Sequence, residues 1–335
     1  MQGTATLTPV AGRDAPDASL ADLAAACKAC ADPLRLTVLR VLQNDSLAVS
    51  ELCELLGIRQ PALSHHLKVL ARAGLVTSRR EGTSIFYRRS DLLAPAGGGA
   101  VAAALLAELD ARPLPPAIRR GLGALQRARE KNSRDFFRLN ADKFREQQDL
   151  IASYEQYGDT VAKLLTEAPL PRRELALEIG PGDGRFLAHL SPRFARVVAL
   201  DNAPEMLAAS RATAADGGLD NIDFILGDTG SPALAGIQAD CIVINMVLHH
   251  TPAPAQVLAD AAAHLAPGGV IAVTDLCRHD QGWARENCGD LWLGFEPEQL
   301  TGWAADAGLG DLASSFLAQR NGFQVQVRLF GHATQ

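Results

Sequence analysis

The stretch that most restricts how this chain can fold is Gly180-Pro181-Gly182-Asp183-Gly184. It follows Leu175 to Ile179, a short run of strand composition, and precedes a helical run that opens at Arg185. Three glycines in five residues permit a tight turn and let backbone approach a ligand closely. Twenty-one residues after Gly180, a second β-prone run, Arg196 to Leu200, ends in Asp201. A glycine pattern alone is weak; its spacing to an acid at the next strand tip gives it weight. Together they point to an open, largely parallel α/β sheet that binds ligands outside the C-terminal ends of its strands.

The rest of the second half continues in this manner. Ile222 to Leu226 reads as a third strand closed by Gly227-Asp228, and Ala239 to Ile244 as a fourth leading into Asn245-Met246-Val247-Leu248-His249-His250. Leu258 to Leu265 reads as a helix ended by Pro267-Gly268-Gly269, and Val270 to Asp275 as a fifth strand. Ala313 to Leu317 and Phe323 to Leu329 flank Asn321-Gly322, a hairpin signal. Asp201 can accept both hydroxyls of a ribose, and Asp228 can accept from an adenine amino group. The GxGxG spacing and the preceding Glu178 favour an amino-acid-bearing sulfonium ligand over a dinucleotide, whose pyrophosphate wants a free helix N-terminus.

The first half has another texture. Asp32-Pro33 opens a helix, with Asp as cap and Pro in the first turn. Ser50 to Leu56 is a short helix stopped by Gly57. Gln60 to Ala73 is the next, with Leu63, Leu67 and Leu70 facing inward and Gly74 ending it. Val76 to Arg89 alternates around Glu81-Gly82-Thr83, a hairpin tip. Helix, turn, helix and two-stranded wing is the order of a winged helix-turn-helix. The chain carries a net charge of -6, so nucleic-acid binding requires a local basic patch. One exists: Arg59, Lys68, Arg72, Arg79, Arg80, Arg88 and Arg89 against the single acid Glu81. Gln60, Ser64, His65 and Lys68 are the expected base-reading face, with Arg79, Arg80 and Arg88 on phosphates.

These residues carry two resemblances. The run from Arg59 to Arg89, RQPALSHHLKVLARAGLVTSRREGTSIFYRR, resembles the recognition helix and wing of ArsR-family repressors, which bind palindromic operators as homodimers. Residues 135–331 resemble a class I methyltransferase, a Rossmann-like seven-stranded sheet ending in an antiparallel hairpin. That second resemblance implies S-adenosylmethionine or S-adenosylhomocysteine as ligand. It places Glu178, Gly180, Gly182 and Gly184 on the methionine and ribose side, and Asp201 with its neighbour Asn202 at the ribose. It sets Met206 over the adenine, Asp228 and Thr229 at its edge, and Asn245 beside the sulfur and amino-acid tail. The expected fold class is therefore multidomain: an N-terminal α+β winged helix-turn-helix and a C-terminal α/β methyltransferase-type domain. The expected division is a flexible tail at 1–17, the DNA-binding domain at 18–92, a helical linker and dimerisation segment at 93–134, and the adenosyl-binding domain at 135–335. The helical region from Phe136 to Tyr157 reads as a lid or as ordinary core.

Six cysteines in 335 residues are no disulfide framework, residues 1–17 lack the pattern of a secretory leader, and no window is apolar enough to span a bilayer. A cytoplasmic location without membrane attachment is the expectation. The ArsR family's metal sensors place two cysteines one residue apart on the first helix of the motif; here they are Cys53 and Leu55, so that site is broken. Cys27 and Cys30 share a helix face and read either as soft-metal ligands or as packing; no metal is assigned. His249 and His250 are the candidate general bases for methyl transfer, against the alternative that one packs inward and one faces solvent. Arsenite as acceptor would need several thiols at the site, where Cys277 and Cys288 are candidates and Cys241 sits in a strand. The order of the two modules resembles fused regulators of the SahR type, which sense S-adenosylhomocysteine and repress methionine-cycle genes. The alternative is a working methyltransferase on a small molecule with an autoregulatory DNA-binding domain.

Overall fold

Asp32 starts the second helix as its sequence dictates: its backbone is extended and its carboxylate accepts the Arg35 N–H at 3.0 Å. The computed structural model describes residues 18–43, 45–81, 84–90, 99–140 and 144–332. The expected tail at 1–17, two of the three hairpin-tip residues (Gly82 and Thr83) and the Pro95 to Gly98 run lie outside them.

The first unit runs to Leu122. Its elements are α1 (Ala18–Cys30), α2 (Pro33–Val41), β1 (Leu47–Ala48), α3 (Val49–Leu56), α4 (Gln60–Arg72), β2 (Val76–Glu81), β3 (Ser84–Arg89) and α5 (Gly99–Asp110). The strands form one antiparallel sheet in the order β1-β3-β2, the wing. Gly57, at φ 65°, caps α3 in the left-handed conformation that only glycine enters at little cost. Leu63, Leu67 and Leu70 of α4 are fully buried, as their three-and-four spacing requires. α5 packs on α1 and α2 and buries Ala102 and Leu106.

Helix α6 (Pro116–Asn140) follows, and the chain divides inside it, between Leu122 and Gly123. The sequence set 93–134 apart as a linker. In the structure α5 is part of the first unit's core and α6 is shared along its length between the two.

The second unit contains the rest of α6, α7 (Phe144–Asp149), α8 (Tyr154–Glu167), β4 (Leu175–Ile179), α9 (Leu187–Leu190), β5 (Arg196–Asp201), α10 (Pro204–Asp216), β6 (Ile222–Leu226), β7 (Ala239–Asn245), α11 (Pro254–Ala263), β8 (Leu265–Leu276), α12 (Trp283–Cys288), α13 (Pro297–Asp306), β9 (Leu309–Ala318) and β10 (Gln324–His332). The seven strands lie in the order β6-β5-β4-β7-β8-β10-β9. The first five are parallel; β10 is antiparallel to both β8 and β9. Alternation along the central strands feeds two cores. Ala176, Val197, Ala199, Cys241 and Val243 join the layer beneath α8, while Leu177, Val198, Leu200, Ile242 and Ile244 join the layer with Leu258 and Leu300. Burial on both faces explains why these strands read as continuous apolar runs.

One local expectation fails. Pro267-Gly268-Gly269 does not end a helix; α11 stops at Ala263, and those three residues lie within β8. The Ala239 N–H bonds the His264 carbonyl oxygen, and β7 pairs with β8 from Leu265 onward across a register shift. Sheet pairing there overrides the turn chemistry that the proline and glycines advertise.

Candidate functional site

The C-terminal ends of β4, β5, β6 and β7 frame a cavity of about 330 Å³. Gly180, Gly182, Asp201, Asn202, Met206, Asp228 and Thr229 line it. A second, smaller cavity of about 40 Å³ shares Gly180, Gly182 and Met246 with the first, and holds Glu178 and Asn245. Of the candidate ligand residues, Gly184 alone lines neither. At φ +81°, a Cβ there would stand 2.8 Å from Ser210 Cα, so Gly184 lets the turn pack on α10 rather than facing a ligand. Gly180 has a comparable constraint: φ is +67° and a Cβ would meet Val247 Cγ2 at 2.5 Å.

The acids divide by environment. Glu178 is buried, and burial, with the Asp183 carboxylate adding to it, pushes its pKa up to about 8. Its Oε2 is buried without a hydrogen-bond partner among the described residues, and so are both amide atoms of Asn245. Asp201 is half-buried; desolvation pushes it up to about 6, with hydrogen bonds from the Ala203 and Asn202 N–H groups acting the other way. Asp228 is exposed at the cavity and accepts the Gly230 N–H at 3.1 Å. Thr229 donates its hydroxyl to Asp260 Oδ2 on α11 at 2.6 Å, so that proton is not available to an adenine edge.

Several wall residues carried no sequence signal. Glu130, Ser133 and Arg134 of α6 line the larger cavity, beside Phe137 of the same helix. The Ser133 hydroxyl donates to the His250 carbonyl oxygen at 3.1 Å, and Phe137 meets the His250 ring edge-on at 4.9 Å between centroids. Of the Phe136–Tyr157 region, read as lid or core, Phe137 is thus cavity wall, and Tyr154 and the buried Tyr157 both line the smaller cavity. Met246, at φ 56°, adopts a left-handed conformation that is rare for non-glycine residues and concentrates at functional sites.

The two histidines separate. His249 is buried outside the cavity lining, with Nδ1 2.8 Å from Asp275 Oδ1. Burial pushes its pKa down, but Asp275 and Asp290 outweigh that and raise it to about 9. This leaves it unsuited to take a proton from an acceptor in the cavity. His250 does line the cavity, and burial beside His249 holds it well below the usual imidazole range. Cys241, Cys277 and Cys288 are all buried, and burial pushes their thiols up to about 12, 11 and 12. Such thiols are poor ligands for arsenic because few are thiolates at neutral pH.

In the first unit, Gln60, His65 and Lys68 are exposed on α4 and Ser64 is half-buried beside them. Arg80 on β2 is exposed, while Arg79 and Arg88 are half-buried on the wing. Arg89 differs: its guanidinium makes a bidentate pair with Asp110 of α5 at 2.8 and 2.7 Å. That basic residue of the patch serves the fold.

A three-stranded wing beside α3 and α4, with a seven-stranded cavity-bearing α/β unit behind it in the chain, defines a winged helix-turn-helix fused to a methyltransferase-type domain. The chain belongs to the ArsR family of bacterial regulatory proteins. The description "Bacterial regulatory protein, arsR family" matches residues 32–78, and "Methyltransferase domain" matches residues 177–273. The HTH-type transcriptional regulator NmtR of Mycobacterium tuberculosis is 42% identical over 87 residues, 24% of this chain and 72% of that protein. The trans-aconitate 2-methyltransferase of Methylobacterium radiotolerans is 39% identical over 130 residues, 36% of this chain, which spans 47% of the enzyme. Among solved structures, a putative methyltransferase complex with the Haloferax volcanii Trm112 activator is similar at 18% identity and TM-score 0.49, over 60% of this chain and 99% of that one. Among the described residues no helix is long and apolar enough to cross a membrane.

Proposed function

We propose that this protein is a homodimeric transcriptional regulator, acting as a repressor, whose affinity for operator DNA is set by S-adenosylhomocysteine or S-adenosylmethionine in the second unit. The observation that carries the ligand is the pairing of the two cavities. An adenosyl group matches the larger one, with Asp201 for the ribose and Asp228 at the base. An amino-acid tail presents ammonium donors and carboxylate acceptors. Glu178 Oε2 and the two amide atoms of Asn245, buried and unpartnered beside the glycine turn, are the complementary set. A dinucleotide pyrophosphate offers no donors for a buried carboxylate.

Control of DNA follows if the ligand binds the DNA-competent and DNA-incompetent states with different affinity. Helix α6 is the element suited to this. It lines the cavity through Ser133, Arg134 and Phe137, and within the first unit its Gly121 lies against Leu55 of α3, where a Cβ would stand 2.8 Å from the leucine side chain. For the dimer, α5 buries Ala102 and Leu106 and leaves Val101, Ala103, Ala104 and Ala107 exposed, a small apolar face for a second copy. Methionine-cycle genes are the targets that the architecture suggests. The test is DNA binding by the full chain, using a duplex it selects from a random pool, with and without each adenosyl ligand. A change in affinity of about fivefold or more supports the reading; an unresponsive complex with a ligand-saturated protein overturns it.

A second reading, methyl transfer to a small acceptor, is favoured by His250 in the cavity wall and by similarity to an enzyme named for trans-aconitate. A sulfonium donor is already activated, so positioning alone supplies much of the rate, about 7–11 kcal/mol at best. Arsenite is disfavoured as acceptor by the buried, protonated thiols. Turnover of labelled donor with carboxylate acceptors separates this reading from the first.

A further inference from the structure

We propose that His249, His250 and Asp290 form a binding site for one divalent transition-metal ion at the edge of the larger cavity. Among the described residues, these three bring one ligand atom each to within 4.8 Å of one another. Asp290 is the second observation: it is buried, and among the described residues neither of its carboxylate oxygens has a hydrogen-bond partner. A buried carboxylate without hydrogen bonds is costly unless positive charge stands beside it; the nearest groups are the His249 and His250 nitrogens, each 3.8 Å from Oδ1, and either an imidazolium proton or a metal ion between them supplies that charge.

The geometry around the three residues orients them inward. His249 Nδ1 faces Asp275 Oδ1 at 2.8 Å; Asp275 also accepts the Leu248 N–H at 2.9 Å and the Leu276 N–H at 2.8 Å. Asp275 is therefore an acceptor there, the proton sits on Nδ1, and Nε2 points at Asp290 Oδ1, 3.8 Å away. A carboxylate behind a histidine, fixing its tautomer, is the usual support of a metal-ligating imidazole. His250 Nδ1 is also 3.8 Å from Asp290 Oδ1, and its alternative contact, the Gly289 carbonyl oxygen, is long at 3.3 Å. Separations of 3.8 Å exceed a hydrogen bond. Ligand atoms about 2.0–2.2 Å from a tetrahedral ion stand ~3.4 Å apart, so the two 3.8 Å separations close by about 0.4 Å and the remaining pair, within 4.8 Å, by at most about 1.4 Å. The backbone holds the cluster in place, since the Leu291 and Trp292 N–H groups both bond the His249 carbonyl oxygen.

Two imidazoles and one carboxylate suit zinc or iron(II) over magnesium or calcium, and leave coordination positions open. Of the three, His250 alone also lines the larger cavity, so the ion would sit behind that wall. The site stands apart from the adenosyl reading: it needs none of Glu178, Asp201 or Asn245.

The test uses the full chain, stripped with a chelator, dialysed, and titrated with Zn²⁺ and with Co²⁺. The expected result is one ion per chain, with a visible cobalt spectrum that lacks thiolate-to-metal charge transfer. Asp290→Asn abolishes stoichiometric binding, Asp275→Asn weakens it about 10–100-fold, and Cys27→Ser leaves it unchanged. His250→Ala replaces Asp290→Asn should the latter fail to fold, and is expected to have the same effect. No stoichiometric binding, binding indifferent to the Asp290, Asp275 and His250 changes, or binding lost with Cys27 overturns the proposal; the cluster then holds a proton in place of the ion.

Discussion

The Ser133 hydroxyl on α6 donates to the His250 carbonyl oxygen at 3.1 Å, which fixes this part of the helix to the cavity wall within the second unit. Removing that tie in Ser133→Ala is expected to cost about 0.5–1.5 kcal/mol of stability. Its larger effect falls on coupling: the ligand-induced change in DNA affinity shrinks, while ligand affinity without DNA stays within about threefold. Calorimetry and DNA titrations on the variant check both. Equal loss of ligand affinity and coupling would show that Ser133 only shapes the pocket.

In the proposed function, Glu178 is expected to make ligand binding depend on pH. Its pKa in the unliganded protein is raised to about 8, so the carboxyl is largely neutral at pH 7, and pairing with a ligand ammonium requires it to ionise. Binding is therefore expected to release a proton between the ordinary carboxylate range and pH 8, with affinity rising with pH across that window. The group's contribution to unliganded stability has the opposite sense: it is full below the ordinary carboxylate pKa and lost as pH rises through 8. Calorimetry at pH 7 in two buffers of different ionisation enthalpy reads the proton; Glu178→Gln is expected to remove it.

Asp201 is expected to carry the ribose. Hydrogen bonds to a charged group are worth about 1.5–3 kcal/mol, so Asp201→Asn should weaken the adenosyl ligand by roughly 10–100-fold. Stability at pH 7 should hold or rise, because the wild-type carboxylate is desolvated, with its pKa pushed up to about 6. Isothermal titration and thermal melts measure the two effects independently.

The proposed DNA face and the Arg89 pair are expected to respond differently to mutation. Arg80→Ala should lower the slope of log affinity against log salt by about 0.9 and weaken all sequences alike. Gln60→Ala or His65→Ala should instead lose about 1–3 kcal/mol of discrimination at particular bases. Arg89→Ala should act on the fold, costing about 1.5–3 kcal/mol through the unpaired Asp110. Salt titrations of DNA binding and chemical denaturation separate the three.

What could be read from the sequence was what is local. The Asp32 cap, the Gly57 and Gly74 stops, the glycine turn and the strand-tip acids each depend on neighbours within a few residues, and the structure has them there. What could not be read depends on distant partners. Ser133 meets His250 across 117 positions, and His249 is turned away from the cavity by an aspartate 26 positions on. Gly184 matches its motif yet serves packing on Ser210. Pro267-Gly268-Gly269 lost to strand pairing with β7 because sheet register is set by the partner strand. The chain's division inside α6 was hidden for the same reason: that helix is continuous in sequence, and only its packing partners change along it.

In the proposed function, one equilibrium links the cavity of the second unit to DNA. The most direct measurement is the dissociation constant of S-adenosylhomocysteine and of S-adenosylmethionine for the full chain, free and saturated with its selected duplex. Linkage requires at least one of them to differ by about fivefold or more between the two states, with the reciprocal change in DNA affinity of equal size. Tight ligand binding with the same constant in both states, for both ligands, would contradict the account.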